Sequence, residues 1–213
     1  MSAGVQNKRT RMDSLDRYDS EDCCQNNELV NKLDRKSSYG CDVLHPLTYP
    51  QKSIWYTEKV YPGTGIGNIA GTLRIQGKID YSLMEQAINL FIQKNDAFRL
   101  RIVEKDNTPY QYVSDYRYKK IDFFDFSSDS NIKDLYEWEE RMTRIPFELI
   151  DSDLYYFARV KVNEGDGGFY IKAHHTISDA WTMSLLGNQI LEYYECLKNK
   201  SQIDLSKKPS YIS

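Results

Sequence analysis

The chain has 213 residues, of which 40% are hydrophobic, 28% charged and 13% aromatic, with a formal net charge of −3. This is the composition of a folded globular protein with enough length to bury a sizeable core. It excludes collagen-like, disulfide-scaffold and dedicated nucleic-acid-binding chains. No apolar run approaches the roughly 18–20 residues that cross a bilayer. Met1–Asp22 has no apolar stretch after its basic residues, so a secretory leader is not expected.

Residues 1–41 are rich in Lys, Arg, Asp, Glu, Ser and Asn, and predict a polar arm or linker with at most a turn or two of helix at Glu28–Leu33. The four cysteines stand at 23, 24, 41 and 196, without the Cys-x-x-Cys spacing of a zinc site. Cys23–Cys24 is read as a pair of ordinary thiols, and the expected setting is reducing and cytoplasmic.

From Cys41 the pattern changes. His45–Gln51 is extended around Pro46 and Pro50, and Thr48 is placed to cap a helix over Lys52–Tyr61 with Ile54, Trp55 and Val60 as its apolar positions. Gly63–Asn68 is glycine-rich but lacks the Gly-Lys-Ser/Thr of a phosphate loop and the flanking strand and helix of a dinucleotide loop, so it reads as a surface loop. Gly71–Gln76 alternates as a strand. Asp80 or Ser82 caps a helix over Leu83–Lys94, whose apolar stripe is Leu83, Met84, Ala87, Ile88, Phe91 and Ile92. Phe98–Glu104 and Tyr110–Val113 are the arms of a hairpin, and Lys119–Phe126 is β-rich. Asn131–Thr143 has helical spacing and stops before Pro146. Leu154–Asn163 and Phe169–His175 form a second hairpin across Glu164–Gly168. Ser178 or Asp179 caps a helix over Trp181–Leu197, with Leu185, Leu186, Ile190, Tyr194 and Leu197 on its inner side. The fold class is therefore α/β, an α+β two-layer sandwich with a mixed sheet covered by helices.

The chemistry concentrates at His174-His175-Thr176-Ile177-Ser178-Asp179, which holds two of the three histidines in the chain. Strand alternation puts Phe169, Ile171, Ala173 and His175 on one face and Tyr170, Lys172 and His174 on the other, so the two imidazoles do not share a pocket. Three roles stay open on residue type alone. A zinc site is poorly supplied, because the only other histidine is His45. A structural His pair at a strand end is common. A general base is chemically suited, because an imidazole takes a proton near neutral pH. No Gly-x-Ser-x-Gly nucleophile motif is present.

His174-His175-Thr176-Ile177-Ser178-Asp179-Ala180-Trp181 resembles the HHxxxDG signature of nonribosomal peptide synthetase condensation domains, which belong to the chloramphenicol-acetyltransferase-like acyltransferases. Leu47–Trp55 is similar to the first core motif of that family, and Lys94-Asn95-Asp96-Ala97-Phe98-Arg99 to the second, R-H-E-x-L-R-T. Ile75–Asp80 and Thr108–Val113 also look typical, and the likeness runs from about residue 45 to 200 in order.

The resemblance implies a chloramphenicol-acetyltransferase-like lobe and an amide-forming acyl transfer. An acyl or peptidyl thioester on the phosphopantetheine arm of one carrier protein is attacked by the amine of an aminoacyl thioester on a second. His175 maps to the catalytic His. His174, Asp179 and Ala180 map to supporting positions, and Arg99 is the expected partner that holds Asp179. No cofactor is bound by the chain itself, and no metal, nucleic acid or membrane is implied.

There are departures. Ala180 stands for the motif Gly, and Lys94, Asn95 and Asp96 stand for Arg, His and Glu. Both His are kept, unlike in cyclising variants, and Trp181 fits condensation better than epimerisation. The implied organisation is a polar arm over 1–44, an N-terminal lobe over 45–200, and a linker over 201–213 leading toward a C-terminal lobe of the same domain. Isolated, such a lobe is expected to be inactive. The alternatives are a stand-alone trimeric CoA-dependent acyltransferase and a lobe that only docks carriers.

Overall fold

Thr48 opens the first helix through a capping box, in which its hydroxyl accepts from the Gln51 N–H and the Gln51 side chain accepts from the Thr48 N–H. The computed structural model describes residues 44–127 and 132–203. The expectations for Glu28–Leu33, Cys23–Cys24, Cys41 and the tail beyond residue 203 lie outside them. In chain order the elements are β1 (His45–Pro46), α1 (Tyr49–Val60), β2 (Asn68–Gln76), α2 (Tyr81–Lys94), a 3₁₀ turn (Asp96–Arg99), β3 (Leu100–Lys105), β4 (Thr108–Val113), β5 (Asp122–Asp125), α3 (Lys133–Arg144), β6 (Tyr155–Asn163), β7 (Asp166–His174) and α4 (Ala180–Lys198).

Local chemistry explains the boundaries. The Asp80 carboxylate accepts from the N–H groups of Ser82 and Leu83 and starts α2. Asn95 stops it by folding its amide back onto the Phe91 carbonyl. The chain then tightens into the 3₁₀ turn to seat Phe98 against Phe91, with ring centroids 4.8 Å apart. The strand expected from Phe98 therefore begins at Leu100. Asp106 and Asn107 both adopt left-handed backbone, φ 50° and 57°, and turn β3 into β4.

Two sheets result. The smaller has the order β1-β4-β3 and is antiparallel throughout. The larger has the order β2-β7-β6-β5, antiparallel except where β5 runs parallel to β6. Alternation along β7 serves two cores. Phe169, Ile171 and Ala173 meet Met84, Ile88 and Phe91 of α2 and Leu186 and Ile190 of α4. Tyr170 points the other way, to Leu135 and Trp138 of α3. The mixed sheet is thus covered by helices as expected, and α3 adds cover on its second face.

Two inward-facing assignments are corrected. Leu185 is 54% exposed, whereas Leu186, Gly187, Ile190, Tyr193 and Tyr194 are buried. Gly187 is the reason: a Cβ there would come within 2.7 Å of Leu73 Cδ1, so this side of α4 lies close on the sheet and Leu185 turns outward. Val60 is exposed, and α1 buries Gln51, Trp55 and Glu58 instead.

Candidate active site

Residues 174 to 179 turn the chain from the central strand of the larger sheet into α4. The His174 N–H donates to the Leu154 carbonyl at 2.8 Å, and the His175 N–H donates to the Gly67 carbonyl at 2.8 Å. The turn closes when the Ile177 N–H donates to the His174 carbonyl at 3.0 Å.

The strand expected to run to His175 ends at His174, so the two imidazoles part because His175 stands in the turn beyond β7 and not through strand alternation. His174 is 1% exposed, and its Nδ1 lies 2.9 Å from Thr176 Oγ1 and 3.3 Å from the Thr176 N–H that donates to it. Its Nε2 lies 3.3 Å from Glu58 Oε1. A carboxylate only accepts, so Nε2 carries the proton and Nδ1 accepts from Thr176. Burial pushes the His174 pKa below its ordinary value, against the raising effect of Glu58. His175 is exposed at the end of the strand.

Beyond it Asp179 and Ala180 are exposed, and Trp181 (73%) and Leu185 project an apolar strip one helical turn apart on α4. An exposed imidazole can take a proton from, or orient, a substrate at the surface.

Asp179 is the helix cap, its Oδ1 accepting from the N–H and the hydroxyl of Thr182, both at 2.7 Å. These bonds hold its carboxyl below the ordinary carboxylate range. The expected Arg99–Asp179 pair is not formed. The Arg99 guanidinium donates instead to the Ser114 carbonyl at 3.0 Å and lines a cleft of about 440 Å³ with Arg101, Lys119 and Asp153. The cause is topological: Arg99 ends the 3₁₀ turn ahead of β3, and the Ser114 N–H donates to its carbonyl. Ala180 opens α4 in helical backbone, so the glycine of the motif is not needed at this position for left-handed φ.

Sequence periodicity missed the support of the site. Glu58 and Gln51 occupy the buried face of α1, seven residues apart with Trp55 between them. Gln51 Nε2 donates to the Thr176 carbonyl at 3.0 Å, and Glu58 Oε1 accepts the Gly67 N–H at 2.8 Å. The glycine loop expected at the surface thus reaches the site through Gly67, which is buried. The detectable signal was polar residues at core spacing on a helix.

The family profile described as Condensation domain matches residues 44–213, and the chain belongs to that family. It is 41% identical over 172 residues to surfactin synthase subunit 1 of Bacillus subtilis (strain 168), covering 79% of this chain and 5% of that protein. It is 31% identical over 170 residues to a plipastatin synthase protein of the same organism, covering 79% of this chain and 7% of that one. Among solved structures it superposes on the first condensation domain of the calcium-dependent antibiotic synthetase in complex with a substrate analogue. That match has TM-score 0.72 at 19% identity, over 78% of this chain and 42% of that one. It also superposes on the starter condensation domain of rhizomide synthetase RzmA, TM-score 0.73 at 21% identity, over 79% and 41%. The chain therefore spans less than a tenth of these synthetases and less than half of the solved domain chains.

Proposed function

We propose that this chain supplies the His175 side of a condensation-domain active site that forms an amide between two carrier-bound substrates. The single observation that carries it is the division of labour at the paired histidines. His174 is buried and fully bonded, while His175 is held by its backbone and offers a free imidazole face. The acyl or peptidyl donor is a thioester on a phosphopantetheine arm, and the acceptor is the amine of an aminoacyl thioester on a second carrier. The amine nitrogen attacks the thioester carbonyl carbon as His175 accepts its proton. The C–N bond forms, the C–S bond breaks, and the departing sulfur takes up a proton. The exposed strip of Trp181 and Leu185 and the His175 edge form one wall, and the remainder of the domain supplies the other. A cytoplasmic setting belongs to the same proposal.

The test uses the complete domain with two loaded carriers, and with acyl-CoA as the donor in a second arm, since a mutant of the RzmA starter domain was solved with C8-CoA. His175→Ala is expected to lower amide formation by about 10²-fold or more. Unchanged product formation would sink the catalytic role and leave a lobe that only docks carriers. The 213-residue chain alone is expected to form no amide. Turnover by a trimer of it would favour a stand-alone acyltransferase.

A further inference from the structure

We infer that Glu58 of α1, acting through Gly67 and His174, is a positioning residue for His175. The inference rests on the acyl-transfer reading above, and it names a group in that site to which sequence reasoning assigned no role.

Three separate parts of the chain meet at one carboxylate oxygen. Glu58 Oε1 accepts the Gly67 N–H at 2.8 Å and faces His174 Nε2 at 3.3 Å. Gly67 in turn presents its carbonyl to the His175 N–H at 2.8 Å. On the other side, His174 Nδ1 takes both the hydroxyl and the N–H of Thr176. The residues before and after His175 are therefore tied to the same carboxylate, and its own peptide hangs on the glycine that the carboxylate holds.

A helix face turned to a core would ordinarily carry an apolar residue here. Glu58 is 8% exposed, and burying a carboxylate costs several kcal/mol unless its acceptor directions are used. Here Oε1 serves two groups, the N–H of the glycine whose carbonyl holds the His175 peptide and the imidazole of the residue before it. Gly67 fits the same account. Its φ is not in the left-handed region, so space rather than backbone freedom demands glycine. A Cβ would press on His174 Nε2 and come within 2.6 Å of Glu58 Oε1.

The experiment measures amide formation by the complete domain under saturating and limiting carrier. Glu58→Ala is expected to lower kcat roughly 10- to 100-fold, the cost of a slightly misplaced catalytic group, with KM for each carrier within about twofold. Glu58→Gln is expected to recover most of the loss, because an amide oxygen accepts the same two bonds. Gly67→Ala should match Glu58→Ala. In a His175→Ala background Glu58→Ala should cost less than about twofold more, since the imidazole it positions is gone. If Glu58→Ala does not fold, Glu58→Asp, which withdraws the carboxylate by one methylene, and Gly67→Ala carry the same comparison.

An unchanged kcat in the Glu58 and Gly67 variants, a loss expressed in KM, or an undiminished loss in the His175→Ala background overturns the inference and leaves the acyl-transfer reading standing. Full activity of His175→Ala itself overturns both.

Discussion

Gln51 and Gln111 exchange two hydrogen bonds in the core, Gln51 Nε2 to Gln111 Oε1 at 2.9 Å and Gln111 Nε2 to Gln51 Oε1 at 3.0 Å. The pair joins α1 to β4. Gln51 also accepts from the Thr48 N–H and donates to the Thr176 carbonyl, so one amide links the helix cap, the smaller sheet and the turn after His175. Nearly every donor and acceptor direction of the side chain is used.

Gln51→Leu should therefore destabilise beyond its change in shape. It strands the Gln111 Oε1 and the Thr176 carbonyl, while Gln111 Nε2 keeps the Pro46 carbonyl, at about 1–3 kcal/mol for each buried orphan. A total loss of about 2–4 kcal/mol is expected in urea unfolding of the complete domain. Adding Gln111→Leu should cost less than the sum of the single changes, because two apolar groups then face each other. A single-variant loss below about 0.5 kcal/mol would contradict the linkage.

Stability should also depend on pH through His174. Burial depresses its folded pKa below the ordinary 6.5, so the unfolded chain binds more protons than the folded one as the pH falls. The contribution is intact above the unfolded pKa. It is lost as the pH drops from about 6.5 toward the folded value, by at most about 1.4 kcal/mol per pH unit. Thermal midpoints between about pH 7 and pH 5.5 should fall, and the slope should flatten in His174→Asn. An equal slope in that variant would remove His174 as the cause.

Much of the architecture was legible because it is written in short-range chemistry. Thr48 caps α1 as expected, and of the paired candidates Asp80 and Asp179 take the caps of α2 and α4. The hairpin expected across Glu164–Gly168 is present but tighter: only Glu164 and Gly165 turn, because Asp166, Gly167 and Gly168 already pair in β7. What stayed hidden depends on contacts between residues far apart in the chain. Apolar periodicity cannot see Glu58 and Gln51 as core positions, since their burial makes sense only beside Gly67, His174 and Gln111. Gly67 looked like loop because its neighbour in space, Glu58, comes from α1. The Arg99–Asp179 pair was expected from family resemblance rather than from any local rule, and the Ser114 carbonyl took the guanidinium instead.

Asp179 has a different kind of role to test. Its carboxyl is exposed and serves the first turn of α4 through Thr182. Asp179→Ala should lower the thermal midpoint, while Asp179→Asn and Asp179→Ser should retain most of it, because both still offer a capping oxygen. Its depressed pKa sets the sign of the acid dependence: the stabilisation is present above the unfolded value of 3.8 and is lost as the pH falls through the lower folded value. A midpoint for Asp179→Ala equal to that of the parent protein would show that the cap contributes nothing.

The start of β7, between β2 and β6, should tolerate no side chain at Gly168. Gly168 has φ 146° and pairs with Arg74 and Val160 on its two sides. A Cβ there would collide with the Leu73 carbonyl oxygen, which belongs to the backbone of β2 and cannot swing aside. Gly168→Ala combines that clash with a backbone conformation that L-residues rarely adopt. It must part β2 from β7 or twist the strand that carries His174. A loss above about 3 kcal/mol, or failure to accumulate as folded protein, is expected. Gly71→Ala is the control, since nothing lies within 4 Å of the Cβ it would add. It should unfold at a urea midpoint close to that of the parent protein. Comparable midpoints for the two variants would show that the β2–β7 ladder does not need glycine at residue 168.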